Sequence, residues 1–384
     1  MVKNILFIDQ FANIGGGQKV LLQTIGALDR NKYEPMVCLP SLGELSDRLK
    51  SMSIKTLFLP IGNYSAGKKN VFDLLNYFTR GAILLPLTMF LIKKNKIKLL
   101  YLNGPRTFLW GTIAANLMGV PVIWHLHSIL RGAEKNVCVR ILEKHVDKIL
   151  AVSQAVKNSL GPSNKNIVII YNCVNEIVNA SVRERHLNND STKIIGYIGQ
   201  LAKWKGIEDY IQAAAIVARS IKNIEFWIIG DALFDNKREK QYKTKLINMV
   251  REVNLTGKII FKGRIKEINE IMPNLDIVIV PSIETEPFSL AMIESMGAEK
   301  IVIASNHGGP SEIIKNNITG LLFTPGNYKE LAGKITDVII NPNKYKTMGQ
   351  AAGKEIKDNY NYQIYCQGIN ATIEEVIGYK KKSS

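Results

Sequence analysis

Two glutamates, Glu286 and Glu294, stand seven residues apart in the segment PSIETEPFSLAMIESMGAEK. Pro287 favours a first helical position, and Leu290, Ile293 and Met296 recur at helical spacing, so the pattern predicts a helix that opens just after the first carboxylate. A wholly helical stretch of this length would span about 12 Å, the length scale of a sugar, a diphosphate and a ribose laid end to end. The N–H groups of its first turn would favour an anion in the same space. Taken alone, the pair reads more simply as two solvated glutamates on a surface helix; the neighbouring segments decide between the readings.

Other residues with chemical potential lie at the ends of strand-like runs. Gly15, Gly16 and Gly17 follow the first apolar segment and open a helical pattern over Lys19–Leu28. Glycines let a backbone approach a ligand closely, and a helix start suits a phosphate. The spacing is not G-x-G-x-x-G, so a dinucleotide site is not indicated; a plain tight turn is the alternative. Gly199-Gln200-Leu201-Ala202-Lys203-Trp204-Lys205-Gly206 occupies the same place in the second half. A lysine there can neutralise charge developing on a departing diphosphate, or be an ordinary surface cation. His125 and His127 end the run Val122-Ile123-Trp124 and fall on one face by strand alternation. No nearby carboxylate or cysteine completes a metal set, so a ligand hydroxyl is the better partner. His307-Gly308-Gly309 ends a further strand, where small residues again admit a ligand. Gly62-Asn63-Tyr64-Ser65-Ala66-Gly67-Lys68-Lys69 is a near-miss P-loop: Lys69 stands where a magnesium-binding Ser or Thr belongs, so an ATPase reading fails.

These residues need a scaffold that brings strand ends together. Strands are expected at 4–8, 34–39, 56–59, 98–102, 122–125, 149–152 and 166–170, then at 194–198, 225–229, 259–261, 277–280, 301–304 and 321–323, with helices between. The alternation predicts an α/β protein of two Rossmann-like doubly wound domains with parallel sheets, whose ligands sit at the strand C-terminal ends facing a shared cleft. The polar stretch Asn175–Lys193 is the linker candidate. Domains are expected at 1–178 and 190–361, with a helix over 362–384 packing back toward the N-terminal domain.

The bulk numbers fit this plan. The chain has 384 residues, 46% of them hydrophobic, enough for two cores. Cys38, Cys138, Cys173 and Cys366 have no metal-ligand spacing and read as reduced thiols of a cytoplasmic protein. No secretory signal is expected, since Met1-Val2-Lys3 runs directly into an apolar segment. Net charge is +17; residues 1–175 hold 22 Lys and Arg against 9 Asp and Glu. The apolar run Gly81–Ile92 is bracketed by Arg80 and by Lys93, Lys94, Lys96 and Lys98, and is too short to span a bilayer. It reads either as a stripe that lies on an acidic membrane surface or as a buried helix with snorkelling lysines. Nucleic acid is disfavoured because aromatic residues are not interleaved with the basic ones.

Together, the segments resemble the retaining GT-B glycosyltransferases often called family 4, over nearly the whole chain. The likeness is strongest over EPFSLAMIESMGAEKIVIASNHGGPSEIIKNNITGLLF. The order matches too: an N-terminal glycine loop, a strand-end histidine, Asn172 after a strand, G-x-x-x-x-K-G, then E-x7-E and GG-x-x-E. The resemblance implies that Glu294 binds the nucleotide ribose and that Glu286 contacts the donor sugar near the reacting carbon. It implies that the backbone N–H groups of Phe288, Ser289 and Leu290 lie against sugar and diphosphate, with Lys205 on the diphosphate. His127 falls near donor sugar and acceptor, and Gly16 and Gly17 in a loop closing over the diphosphate. Gln200 stands where the family often has arginine, which implies either that Lys203 or Lys205 carries more of the phosphate stabilisation or that the donor binds more weakly.

The activity implied is that of a nucleotide-sugar-dependent hexosyltransferase acting with retention, through a same-face substitution in which the leaving diphosphate deprotonates the acceptor. The catalytic set would be Glu286, His127 and Lys205. No metal or other cofactor is implied. The donor would be a UDP-sugar, and the acceptor a lipid-linked or polysaccharide chain of bacterial surface glycan synthesis. The basic N-terminal half suggests a peripheral position at the inner face of the cell membrane. The alternatives are a soluble small-molecule or sugar-phosphate acceptor, and a non-catalytic partner subunit of the same fold.

Overall fold

The structure, a computed structural model, describes residues 2–62, 71–130, 143–161, 166–175, 192–232, 237–265 and 267–379. Residues 63–69 of the P-loop-like segment and nearly all of the expected linker lie outside them. The chain divides into two units: Met1–Asn172 with Gln363–Ser384, and Cys173–Tyr362.

The first unit is built on seven parallel strands, β1 Lys3–Asp9, β2 Tyr33–Leu39, β3 Lys55–Phe58, β4 Ile97–Asn103, β5 Val122–Leu126, β6 Lys148–Ala151 and β7 Ile167–Ile169, in the order β3-β2-β1-β4-β5-β6-β7. The second carries six, β8 Lys193–Ile198, β9 Ile224–Ile229, β10 Ile259–Gly263, β11 Ile277–Val280, β12 Ile301–Ser305 and β13 Leu321–Phe323, in the order β10-β9-β8-β11-β12-β13. Each strand expected from the sequence forms, with ends shifted by a residue or two. The signal was clear because strands of a parallel sheet are covered on both faces and read as continuous apolar runs. Ile5, Leu6, Phe7 and Ile8 of β1 are all fully buried.

In both units the sheet order reverses direction beside its first strand. From β1 the chain moves outward to β2 and β3 on one side, and from β4 to β5, β6 and β7 on the other. The second unit does the same at β8 and β11. The loops leaving two such neighbouring strands diverge, and a crevice opens outside their C-terminal ends.

Helices cover the sheets by burying one stripe each. Ile207, Tyr210, Ile211, Ala214 and Val217 of the helix Ile207–Ser220 are fully buried against the second sheet, as their spacing predicts. Each isoleucine or valine side chain so buried contributes about 1.5–3 kcal/mol. The last helix, Tyr362–Tyr379, completes the first unit's core with Tyr365, Ile369 and Ile373. Its Tyr365 hydroxyl meets Thr24 Oγ1 at 2.6 Å, its Asn370 amide caps the carbonyl of Ala27 at 2.7 Å, and Glu374 pairs with Lys32 at 2.6 Å.

Candidate functional site

At the first unit's reversal, β1 ends in Asp9 and β4 in Asn103, which are register partners. Their side chains bond directly, Asn103 Nδ2 donating to Asp9 Oδ2 at 2.6 Å. Asp9 also accepts the Phe11 N–H at 2.8 Å and Gln18 Nε2 at 3.0 Å. Gln18 sits in the first turn of the helix Gly16–Ala27, and its Oε1 accepts the Gly15 N–H at 3.1 Å. A buried carboxylate thus ties the glycine loop to the end of the neighbouring strand. Burial pushes its carboxyl up to about 6, against the pull of these donors.

The same network sets the state of His127, one residue past β5. With the Asn103 Nδ2 committed to Asp9, its Oδ1 faces His127 Nε2 at 2.7 Å, so that nitrogen carries the proton and donates. Nδ1 is then an unprotonated acceptor, and it has no partner among the described residues. Burial holds the His127 imidazole down to about 3, so it is neutral at physiological pH. Gly17 lies against the ring: a Cβ there would come within 3.3 Å of His127 Cδ2, so the glycine makes room for this histidine. A Cβ on Gly16 would meet nothing within 4 Å. His125 lies beside His127, the ring centroids 4.1 Å apart and the planes tilted by 46°, and it is fully buried, its Nδ1 2.7 Å from the Tyr101 hydroxyl. Asn172, also noted in the sequence, is buried with its Oδ1 unpartnered among the described residues.

At the second unit's reversal, the loops after β8 and β11 interlock. Gly206 adopts φ +70°, and a Cβ there would fall 1.8 Å from the Pro281 carbonyl. The Trp204 carbonyl accepts the Ile283 N–H at 2.9 Å. Between the two loops, Lys205 Nζ donates to both carboxylate oxygens of Glu286, at 2.9 and 2.7 Å, and lies 4.2 Å from the centre of the Trp204 ring. Ser282 Oγ donates to the same carboxylate at 2.6 Å, and the Ser282 carbonyl in turn accepts His307 Nε2–H at 2.8 Å. The pair is secluded: side-chain exposure is 17% for Lys205 and 4% for Glu286. Gln200, at the start of the loop, reaches Glu239 at 3.5 Å.

Two expectations change here. The helix after Glu286 does not open at Pro287; it spans Leu290–Gly297, with Ser289 as its cap, at φ +77° and accepting the Met292 N–H. The preceding residues are held out of a helix because the Glu286 carbonyl accepts the Gly309 N–H at 2.9 Å while its carboxylate is fixed by Ser282 and Lys205. The E-x7-E segment is therefore a loop followed by a short helix, with Glu294 partly exposed in its second turn. Gly308 and Gly309 make room for this chain's own backbone. A Cβ on Gly308, at φ +64°, would lie 2.1 Å from the Glu286 carbonyl oxygen, and one on Gly309 would lie 2.6 Å from Phe288 Cα. Phe288 is buried, and Ser289 and Leu290 are partly exposed.

Sequence reasoning passed over Asp9, Asn103 and Ser282. Each is a polar residue directly at or after the C-terminal end of a buried apolar strand, and that position was the available signal. The first unit brings Gly17 against His127, with Gly16 next to it in the chain; the second pairs Lys205 with Glu286, with Gln200 at the start of the lysine loop and Phe288, Ser289, Leu290 and Glu294 in the loop and short helix that follow Glu286. Among the described residues no group of three or more His, Cys, Asp or Glu side chains is arranged to hold a metal ion.

Comparison with known proteins bears on this arrangement. The family model described as glycosyl transferases group 1 matches residues 179–355, and that described as Glycosyltransferase Family 4 matches residues 14–176. An uncharacterized glycosyltransferase of Methanocaldococcus jannaschii is 30% identical over 276 residues, 69% of this chain and 72% of that protein. The capsular polysaccharide biosynthesis glycosyltransferase CapM of Staphylococcus aureus is 25% identical over 306 residues, 73% of this chain and 77% of CapM. Among solved structures, Anabaena HepE in complex with UDP and glucose has a TM-score of 0.80 at 24% identity, covering 96% of this chain and 99% of that one, and so shares the fold.

Proposed function

The chain belongs to the glycosyl transferases group 1, built on the GT-B fold, and from that membership we propose that it moves a hexose from a nucleotide-sugar donor to a lipid-linked or polysaccharide acceptor in bacterial surface glycan synthesis, with retention of configuration. The likeness to CapM supports the glycan setting, and that to HepE, solved with UDP and glucose, supports a UDP-sugar.

The observation that carries the reading is the secluded Lys205–Glu286 pair at the β8/β11 reversal, with Glu294 on the helix that follows. Glu294 anchors the ribose. The N–H groups of Phe288, Ser289 and Leu290 meet the sugar and diphosphate, and Gly16 and Gly17 approach the diphosphate. Lys205, seconded by Lys203 and by the uncharged Gln200, takes the negative charge that grows on the diphosphate as the glycosidic bond breaks, so the step uses no metal. Glu286 fixes Lys205 and faces the sugar near its reacting carbon. His127, neutral, with its Nδ1 as acceptor, receives a hydroxyl of the sugar or acceptor. The departing diphosphate takes the acceptor proton on the face where the new bond forms, so positioning and electrostatics supply most of the rate.

A thermal-shift series with UDP, GDP, ADP and their sugar conjugates tests the donor assignment. A ligand that binds only the folded state raises the midpoint by linkage. UDP and one UDP-sugar are expected to do so; a rise with GDP or ADP alone would overturn the uridine reading, and no rise with any nucleotide would overturn the transferase site.

A further inference from the structure

The apolar run noted between basic residues lies in the helix Val71–Lys94, which packs beside the helix Phe108–Leu117 on the first unit. One side of the run is in the core, with Leu84, Thr88 and Ile92 buried. The other side is open, and every exposed residue from 81 to 92 is apolar: Ala82, Ile83, Pro86, Leu87 and Phe90. Ile83 is 58% exposed, Leu87 38% and Phe90 57%. They recur at 83, 87 and 90, a single helical stripe.

The neighbouring helix extends this face. Gly81 lies against Trp110, and both helices connect parallel strands on one side of the sheet, so they run the same way. Ile113 and Leu117, 38% and 64% exposed, then follow Trp110 by one and two turns, at about the height along the helix pair where Ile83 and Leu87 stand. A soluble surface rarely groups large apolar side chains in this way without an occupant.

Charge identifies the occupant. Residues 48–133 carry twelve Lys or Arg and one acid, Asp73. Lys93, Lys94, Lys96 and Lys98 are exposed at the end of the stripe, and Lys94 lies 5.5 Å from the Phe90 ring centre. An apolar ridge with a basic end and almost no carboxylates would repel a copy of itself, and it matches the boundary between acidic headgroups and acyl chains. No helix among the described residues is long and apolar enough to cross a membrane, so the ridge would lie along the surface.

We propose that this face, Ile83, Leu87 and Phe90 with Ile113 and Leu117, beds into an anionic lipid surface, with Lys93 and Lys94 on the headgroups. It deepens the reading of a lipid-linked acceptor and rests on it. The face presents the first unit to the layer in which such an acceptor is embedded.

The test is co-sedimentation of the full chain with vesicles of phosphatidylglycerol and phosphatidylcholine, against phosphatidylcholine alone. The wild type is expected to pellet with the anionic vesicles at low salt and to release at high salt. Leu87→Glu with Phe90→Glu should weaken this at least tenfold, as should Lys93→Glu with Lys94→Glu. Both double variants should keep the wild-type melting midpoint, because the side chains are exposed. A wild type that stays in the supernatant, or a Leu87→Glu/Phe90→Glu variant that pellets equally, overturns the proposal. So does sedimentation velocity without lipid showing a wild-type dimer that this variant dissolves, since the face would then join two copies. A UDP-induced rise in midpoint without vesicle binding removes the docking face and leaves the transferase reading standing; vesicle binding without any nucleotide effect does the reverse.

Discussion

Lys205 and Glu286 satisfy each other: the ammonium donates to both carboxylate oxygens, at 2.9 and 2.7 Å, in a setting almost closed to water. A donor diphosphate bound at Lys205 would therefore share the cation with Glu286, which stays held by Ser282 at 2.6 Å. A pair of this kind costs much when halved and little when removed whole, because one partner alone is an uncompensated buried charge.

Lys205→Ala should thus lower stability by on the order of 3 kcal/mol and turnover by orders of magnitude. Lys205→Met combined with Glu286→Gln should regain most of the stability and none of the turnover. Denaturant unfolding and kcat/KM on the same preparations check this; a single variant that is both stable and active would sink the assignment.

Gly308→Ala should move the Glu286 backbone, since its methyl would lie 2.1 Å from that carbonyl oxygen. Gly326 is the control. It too has a positive φ, +80° against +64°, but a Cβ there meets nothing within 4 Å, so Gly326→Ala adds backbone strain without crowding. Activity should collapse in the first and persist in the second. Equal losses would mean that crowding against Glu286 is not the cause.

Acid should reveal the state of the histidines. Burial holds His127 down to about 3 and His125 well below its usual 6.5, so in acid the unfolded chain binds protons that the folded chain refuses. Their contribution to stability is whole above pH 6.5 and is lost as pH falls toward 3. Asp9 acts in the opposite sense. Its carboxyl is raised from 3.8 to about 6, so the folded state gains relative stability on acidification through that interval. His127→Gln should flatten the fall of the melting midpoint between pH 6.5 and 4, and Asp9→Asn should steepen it. Midpoints of either variant running parallel to wild type would contradict the assigned states.

Glu294→Ala should leave the fold intact, because the side chain is partly exposed on a short helix. It should raise the donor KM at least tenfold and abolish the UDP-induced shift in melting midpoint. A full UDP shift in this variant would move the ribose contact elsewhere.

The scaffold was legible in the sequence because its central strands are apolar runs buried on both faces, as Ile5–Ile8 and Ile277–Val280 are. The candidate residues were legible as motifs, but their mutual arrangement was not. That Lys205 closes on Glu286 depends on β8 and β11 being neighbours, a fact of topology between residues 81 positions apart. Pro287 suggested a helix start that a long-range bond from Gly309 to Glu286 overrides. Asp9 and Asn103 look like ordinary strand ends until β1 and β4 lie side by side.

The return of the last helix into the first unit also orders events during synthesis. The second unit is one continuous stretch of about 190 residues, Cys173–Tyr362, whereas the first waits for Tyr365, Ile369 and Ile373. At ribosomal speeds of about 5–20 residues per second, the ribosome needs on the order of ten to forty seconds to cross that stretch. Throughout that interval the part of the first unit beside Thr24 lacks the helix that covers it in the folded protein. A chain that stopped before Tyr365 would therefore hold every residue of the second unit and lack the last core residues of the first.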